Sequence, residues 1–287
     1  MNTTRTTNAR VALVVGASSG MGAATAKHLA AQGWMVYAAA RRIERLQQLG
    51  GGIRPLSIDV SDSAAVAKAV DSVIAASGQI DALVNCAGWA HLGALESMPL
   101  DEARAMFEVN VFGLAAAMQA VIPHMRVRGR GHIVNVASIA GRIPFPLSTW
   151  YVASKHAVVG LSASAAFELN QFGIEIAVVE PGAIVTEFGE VMDASLDSNT
   201  TGPYAPMLDR VRQLADDSYA KQGVGPEVIA KRIEAILNTA KPSLHYVEPR
   251  YARRDLLIAK LIPARWFRGL VNWQAGIVTA EVENVAS

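Results

Sequence analysis

Residues 11–22 read Val11-Ala12-Leu13-Val14-Val15-Gly16-Ala17-Ser18-Ser19-Gly20-Met21-Gly22, and the interpretation of the whole chain turns on them. Five consecutive apolar residues, β-branched at three positions, suit a strand covered on both faces. The glycines that follow are spaced Gly-x-x-x-Gly-x-Gly, and the stretch Met21–Gln32 then has helical character. Such glycines permit a tight turn and close backbone approach to a pyrophosphate, and they let the helix N-terminus face the anion. A Gly-rich turn alone also serves ordinary loops. A strand before it and a helix after it are the context that a nucleotide site requires, so Gly16, Ser18, Ser19, Gly20, Met21 and Gly22 are candidate cofactor residues.

Outward from this turn, short apolar runs alternate with Ala-rich helical stretches. Strands are expected at Val11–Val15, Val36–Ala40, Arg54–Asp59, Ala82–Asn85, His132–Ser138, Ile174–Glu180 and Leu244–Val247. Helices are expected at Met21–Gln32, Ser63–Ser77, Asp101–Met125 and Trp150–Phe172. This alternation predicts an α/β fold, a doubly wound parallel sheet of the Rossmann type with about seven strands and helices on both faces. No repeat or linker divides the chain, so residues 1–287 read as one domain with a flexible arm at 1–9.

The 287 residues are 51% hydrophobic and only 18% charged, against roughly 25% charged in an average domain. A disordered chain is excluded, and a large core is implied. A net charge of +1 gives no reason to expect nucleic acid. The single cysteine, Cys86, allows no internal disulfide and no paired-cysteine metal site, and the six histidines lack metal-ligand spacing. The most apolar internal run, Val111–Ile122, is shorter than the roughly 20 residues of a membrane span. The expectation is a soluble cytoplasmic protein without a transmembrane segment.

Two basic residues, Arg41 and Arg42, follow the second expected strand, where a carboxylate would hold the ribose 2′-hydroxyl of NAD. Arginines there suit a 2′-phosphate, so NADP(H) is the expected cofactor. Asp59 and Val60 close the third strand, where the carboxylate could meet an adenine amino group or cap the helix near Ser61.

Tyr151 and Lys155 stand four residues apart, on one face of an expected helix. Ser138 ends the strand thirteen residues before Tyr151, and Asn110 lies within the long helix before that strand. The Gly16–Gly22 turn, Asn85-Cys86-Ala87-Gly88, Asn110, Ser138, Tyr151-x-x-x-Lys155 and Pro181-Gly182 together resemble the short-chain dehydrogenase/reductase family in its compact form. The resemblance spans about residues 9–190, and Arg41-Arg42 is similar to its NADP(H)-preferring branch.

The resemblance implies a hydride-transferring oxidoreductase with Tyr151 as general acid/base. Lys155 favours the tyrosine anion and bonds the nicotinamide ribose, while Ser138 holds the substrate oxygen. Asn110 holds a relay water. Asn85, Ala87 and Gly88 flank the adenosine ribose, and Pro181, Gly182, Ile184 and Thr186 line the nicotinamide. Two departures stand out: Val15 replaces the family's threonine before the first loop glycine, and Cys86 replaces its second asparagine. Cys86 reads as a packing residue. A catalytically silent NADP(H)-binding regulator is the alternative class, disfavoured because Asn110, Ser138, Tyr151 and Lys155 occur together. An epimerase or dehydratase of the longer form is disfavoured by the loop spacing.

The substrate segment is expected at 186–223, with Phe188 and Met192 beside Phe145 and Leu147 as substrate contacts. Five acidic residues and no lysine or arginine lie between Glu187 and Asp209, which points to a mainly apolar ketone, aldehyde or secondary alcohol. Within a C-terminal extension at 245–280, residues 250–273 form a basic amphipathic stretch broken at Pro263. It is expected to cover the pocket or pack on another subunit, with peripheral membrane contact as the alternative. The resemblance also implies a homodimer or homotetramer.

Overall fold

A computed structural model describes residues 9–189 and 202–277. Its sheet has seven parallel strands in the order β3-β2-β1-β4-β5-β6-β7. These are β1 (Val11–Val15), β2 (Met35–Ala40), β3 (Arg54–Ser57), β4 (Ala82–Asn85), β5 (Gly131–Val136), β6 (Ile174–Pro181) and β7 (His245–Glu248). The helices are α1 (Gly20–Ala31), α2 (Ile43–Gln47), α3 (Ser63–Ser77), α4 (Leu100–Phe107), α5 (Leu114–Arg128), α6 (Thr149–Leu169), α7 (Ala205–Gln222), α8 (Glu227–Leu237), α9 (Arg250–Leu261) and α10 (Ala264–Gln274). The expected arm at 1–9 lies almost wholly outside the described residues, as does Met192.

Why the strands read as continuous apolar runs is visible in β1. Val11, Leu13 and Val15 point into one core, shared with Val70 of α3, Val121 of α5 and Val158 of α6. Ala12 and Val14 point into the other, shared with Leu29 of α1 and Ile233 of α8. Both faces are therefore dry, and a polar residue on either would be stranded. The strand order reverses between β1 and β4, and ligands of such sheets bind in the crevice at that reversal.

Several boundaries differ from the sequence reading for local reasons. β3 stops at Ser57, so Asp59 lies in a turn where its Oδ1 accepts the Ser61 N–H (3.0 Å) and the Ser61 hydroxyl (2.7 Å). The α3 cap is instead Asp62, which accepts the N–H groups of Ala64 and Ala65, both at 3.0 Å. β5 stops at Val136, and Ser138 starts a 3₁₀ turn, Ile139–Gly141, where its Oγ accepts the Ala140 N–H. The C-terminal stretch is two helices hinged at Ile262-Pro263, because proline cannot supply the N–H that would continue α9.

α4 and α5 form one helix through a π-helical turn at Glu108–Gly113. The twelve-residue reading of Val111–Ile122 understates it: Leu100–Arg128 is 29 residues, long and apolar enough by composition to cross a membrane. Here one side of it packs on the sheet through Leu114, Met118, Val121 and Met125. The π turn fits because residue 113 is glycine. A Cβ there would stand 2.7 Å from the Val60 carbonyl oxygen. Gly113→Ala should therefore destabilise by about 1–3 kcal/mol, lowering Tm by several degrees in thermal unfolding. Gly160→Ala, in α6 with open space around it, should instead stabilise by roughly 0.5–1 kcal/mol.

Candidate active site

The turn after β1 is built from backbone contact. Gly16 has φ +83°, and a Cβ on it would stand 2.4 Å from the Ala87 nitrogen, beyond the end of β4. A Cβ on Gly22 would stand 2.2 Å from the Gly16 carbonyl oxygen. Gly20, at φ +53°, lies against Thr186, whose Cβ would be 3.3 Å from an added Cβ. Ser19 precedes α1 without capping it, and the first turn carries no acidic side chain, so its N–H groups are free of internal competition. This set fits a pyrophosphate. Ser18 and Met21 stand on the same turn, and the Ser18 hydroxyl accepts from Arg42 at 3.2 Å.

Arg41 and Arg42 are both exposed at the end of β2. A third arginine, missed from the sequence, is Arg45 of α2, which bridges to Glu187 at 2.5 Å and so links the basic corner to the Thr186 segment. Asp59 is held below the usual carboxylate range by its bonds to Ser61 and, more weakly, by Arg41. Val60 is buried against Gly113.

Asn85 is placed differently from a ribose contact. Its side chain is buried and donates to Asn135 at 2.9 Å, and Asn135 donates to the Ser162 hydroxyl at 2.9 Å. This chain of amides ties β4, β5 and α6 together beneath the crevice. Ala87 and Gly88 lie above it at the surface of contact with Gly16 and Asn110.

Asn110 is fully buried, and its amide has no spare hydrogen. Nδ2 donates to the Trp89 carbonyl (2.9 Å) and the Ser154 hydroxyl (3.1 Å), while Oδ1 accepts the Trp89 N–H (2.9 Å). The side chain thus fixes the segment after Gly88. The π turn that carries it interrupts the regular helical ladder, a feature frequent at functional sites.

Tyr151 and Lys155 share a face of α6, with Lys155 Nζ 5.8 Å from the tyrosine ring centre. Lys155 is buried and donates to the Val136 carbonyl at 3.2 Å. Burial lowers its pKa to about 8, opposed by Cys86 beside it. Burial raises Tyr151 to about 12, opposed by a hydrogen bond to Ser138 and reinforced by the nearby Tyr219. Burial thus outweighs the pull of the ammonium toward the tyrosine anion that the sequence leads one to expect. Cys86 is likewise pushed up to about 12 by burial and stays a thiol, as its packing role requires.

At the end of β6, Pro181 and Gly182 run past Tyr251 of α9, whose hydroxyl accepts the Ala183 N–H at 2.7 Å. Ile184 is buried and bridges to Val224, and the Thr186 Oγ1 accepts the Phe188 N–H at 3.3 Å. Phe188 packs on Tyr151, ring centres 5.9 Å apart. Phe145 and Leu147 line a cavity against α9 and α10, together with Tyr204 and Met207 of the expected substrate segment. His91 is buried and engaged with Glu102 at 2.8 Å. Tyr219 and Tyr251 carried no sequence signal, because each reaches the site from a helix whose docking only the fold reveals.

Residues 10–197 match the short chain dehydrogenase family, and the chain belongs to it as an oxidoreductase. It is 34% identical to a 3-ketodihydrosphingosine reductase of Bacteroides thetaiotaomicron, over 81% of this chain and 85% of that one. It is 32% identical to retinol dehydrogenase 8 of Bos taurus, over 82% and 80%. A short-chain dehydrogenase structure from Streptomyces avermitilis superposes with a TM-score of 0.78 at 33% identity, over 93% and 97%. The closed form of a serine dehydrogenase complexed with NADP+ superposes with a TM-score of 0.72 at 28% identity, over 83% and 93%.

The lysine shift has a consequence for stability. Lys155 titrates near 8 when folded and near 10.5 when free, so between those values the unfolded chain binds more protons. Its contribution to stability therefore rises with pH across that window. Denaturant midpoints of wild type and Lys155→Met, compared at about pH 8 and about pH 10, should show a pH-dependent gain in wild type that the variant lacks.

Proposed function

We propose that the chain binds NADP(H) and transfers a hydride between it and a mainly apolar ketone, aldehyde or secondary alcohol. The observation that carries this reading is the convergence of Ser138, Tyr151 and Lys155 at the mouth of a crevice whose far end is the Gly16–Gly22 turn. The pyrophosphate falls to that turn and the α1 N-terminus. The 2′-phosphate falls to Arg41 and Arg42, with Ser18 between them and the turn. Ala87, Gly88, Pro181, Gly182, Ile184 and Thr186 flank the remainder. When bound, the cofactor supplies or accepts the hydride.

The protein's own work is proton handling. A tyrosine held protonated by burial is a donor in waiting: its hydroxyl releases a proton as a substrate carbonyl oxygen gains negative charge. Ser138, beside that hydroxyl, holds the same oxygen. Lys155, cationic below about pH 8, stabilises the phenolate left behind. Asn110 is a positioning residue that sets the Gly88–Trp89 backbone against Lys155. The apolar substrate class is supported by Phe188, packed at a tilt against Tyr151, and by the relatives' names, a 3-ketodihydrosphingosine reductase and a retinol dehydrogenase. Exposed Phe112 and Phe167, on the outer sides of the 100–128 helix and α6, suit contact with a second copy of the chain.

Turnover of NADPH and NADH with a panel of apolar ketones tests the reading. Wild type should favour NADPH, and Arg41→Ala/Arg42→Ala should lose at least tenfold in NADPH affinity while NADH changes little. Tyr151→Phe should bind NADPH normally and lose turnover by about a hundredfold or more. An NADH preference in wild type would remove the role given to the arginine pair.

A further inference from the structure

Among the described residues, α9 buries only Ala252 and α10 buries none. Their inner sides, through Leu256, Phe267 and Val271, face the cavity that Phe145 and Leu147 line. The outer side of α10 presents Trp266, Leu270 and Trp273, at the i, i+4 and i+7 spacing that makes one stripe. Trp266 is 64% exposed and Trp273 is 78% exposed. Near the end of α9, Leu257 and Leu261, four residues apart on one face, are exposed as well. A single exposed leucine is ordinary, but five large apolar side chains on two consecutive helices form a patch. Helices of 12 and 11 residues are also marginal in water unless an apolar face is buried.

The same segment gathers positive charge. Residues 250–277 hold six basic side chains and one acid, Asp255, in a chain of net charge +1, so the remainder is net negative. All six basic residues are exposed. Arg253 pairs with Glu248 and Arg254 with Asp255, whereas Arg250, Lys260, Arg265 and Arg268 have no carboxylate partner among the described residues. Arg250 and Arg254 precede Leu257 by seven and three residues, on its own stripe. Arg265 lies over the Trp266 ring, 5.8 Å from its centre. Cations dispersed around an apolar stripe do not make a pocket for one head group. They suit a charged plane, which meets them one at a time.

We propose that the outer face of α9 and α10 docks the protein peripherally on an anionic bilayer surface. A two-fold contact with a second copy would set net-positive surface against net-positive surface, whereas anionic lipid reverses the sign of that interaction. The α10 helix lies in the interface, with Trp266 and Trp273 at head-group level and Leu270 between them. Leu257 and Leu261 enter beside it. Arg250, Lys260 and Arg265 reach lipid phosphates from the edges of the stripe, their stems lying along apolar surface. The attachment is one-sided, because 11 residues fall well short of the roughly 20 that span a bilayer.

Flotation of the full chain with lipid vesicles tests this by binding alone, so its outcome is independent of the hydride-transfer reading. Vesicles of phosphatidylglycerol and phosphatidylcholine in equal parts should bind the protein at low salt at least about tenfold more tightly than phosphatidylcholine alone. Salt at about 0.5 M should release most of it. Phosphatidylcholine brominated in its acyl chains, mixed into the anionic vesicles, should quench the tryptophan fluorescence of wild type. Trp266→Ser/Trp273→Ser should lose that quenching and bind at least about tenfold more weakly, with thermal unfolding unchanged because both side chains are exposed. Arg250→Gln/Lys260→Gln/Arg265→Gln should lose the preference for phosphatidylglycerol. If either variant fails to fold, the lipid comparison and the quenching on wild type decide. Equal binding to both kinds of vesicle, no binding at low salt, or undiminished binding by the tryptophan variant overturns the proposal. So does a wild type that ignores vesicles while the tryptophan variant changes its mass in light scattering, which gives the face to a second copy.

Discussion

Two backbones touch where β1 and β4 part company, and little of the site would exist without that contact. Gly16 approaches the Cys86–Ala87 peptide so closely that a Cβ would overlap it, and Gly22 approaches the Gly16 carbonyl just as closely. These approaches seat the α1 N-terminus directly over the strand reversal, so its unpaired N–H groups face the crevice. A similar economy of volume recurs at the other end. An added Cβ on Gly141 would stand 2.8 Å from the Lys155 carbonyl oxygen, and one on Gly88 would stand 3.5 Å from Lys155 Nζ. The N-terminus of α1 and the Tyr151–Lys155 face of α6 are held in one crevice by glycines that bring main chains together.

Close packing has an electrostatic consequence. Lys155 is buried and Tyr151 largely so, and desolvation drives each toward its neutral form, the tyrosine up to about 12 and the lysine down to about 8. Opposite shifts of two neighbours are what a proton-transfer pair needs, because the acid keeps its proton until a better acceptor arrives. Ser138, beside the Tyr151 hydroxyl, works against that burial and eases the proton's departure.

Much of this was legible in the sequence, for identifiable reasons. β1 and β4 announced themselves because strands buried on both faces must be apolar throughout, and the glycine spacing at 16, 20 and 22 carried the turn. Tyr151 and Lys155 were readable because helical spacing of four places them on one face. What could not be read depends on long-range docking or on competition between partners. Tyr219 and Tyr251 arrive from α7 and α9, helices distant in sequence from the crevice. Asp59 lost the α3 cap to Asp62, three residues later, because β3 ended early enough to leave room for a separate turn. Asn85 and Asn110 are both buried, and their amides engage Asn135 and, separately, Trp89 and Ser154, partners that only the fold brings to them.

The central claim is that Tyr151 delivers a proton in step with a hydride passing between NADP(H) and a carbonyl carbon. It is tested most directly by supplying NADPH deuterated at the transferring position with an apolar ketone and analysing the alcohol by mass spectrometry. The account predicts one deuterium on the carbinol carbon of each product molecule formed by wild type, and at least a hundredfold less labelled product from Tyr151→Phe. Product without deuterium, or labelled product formed equally fast by Tyr151→Phe, would contradict it.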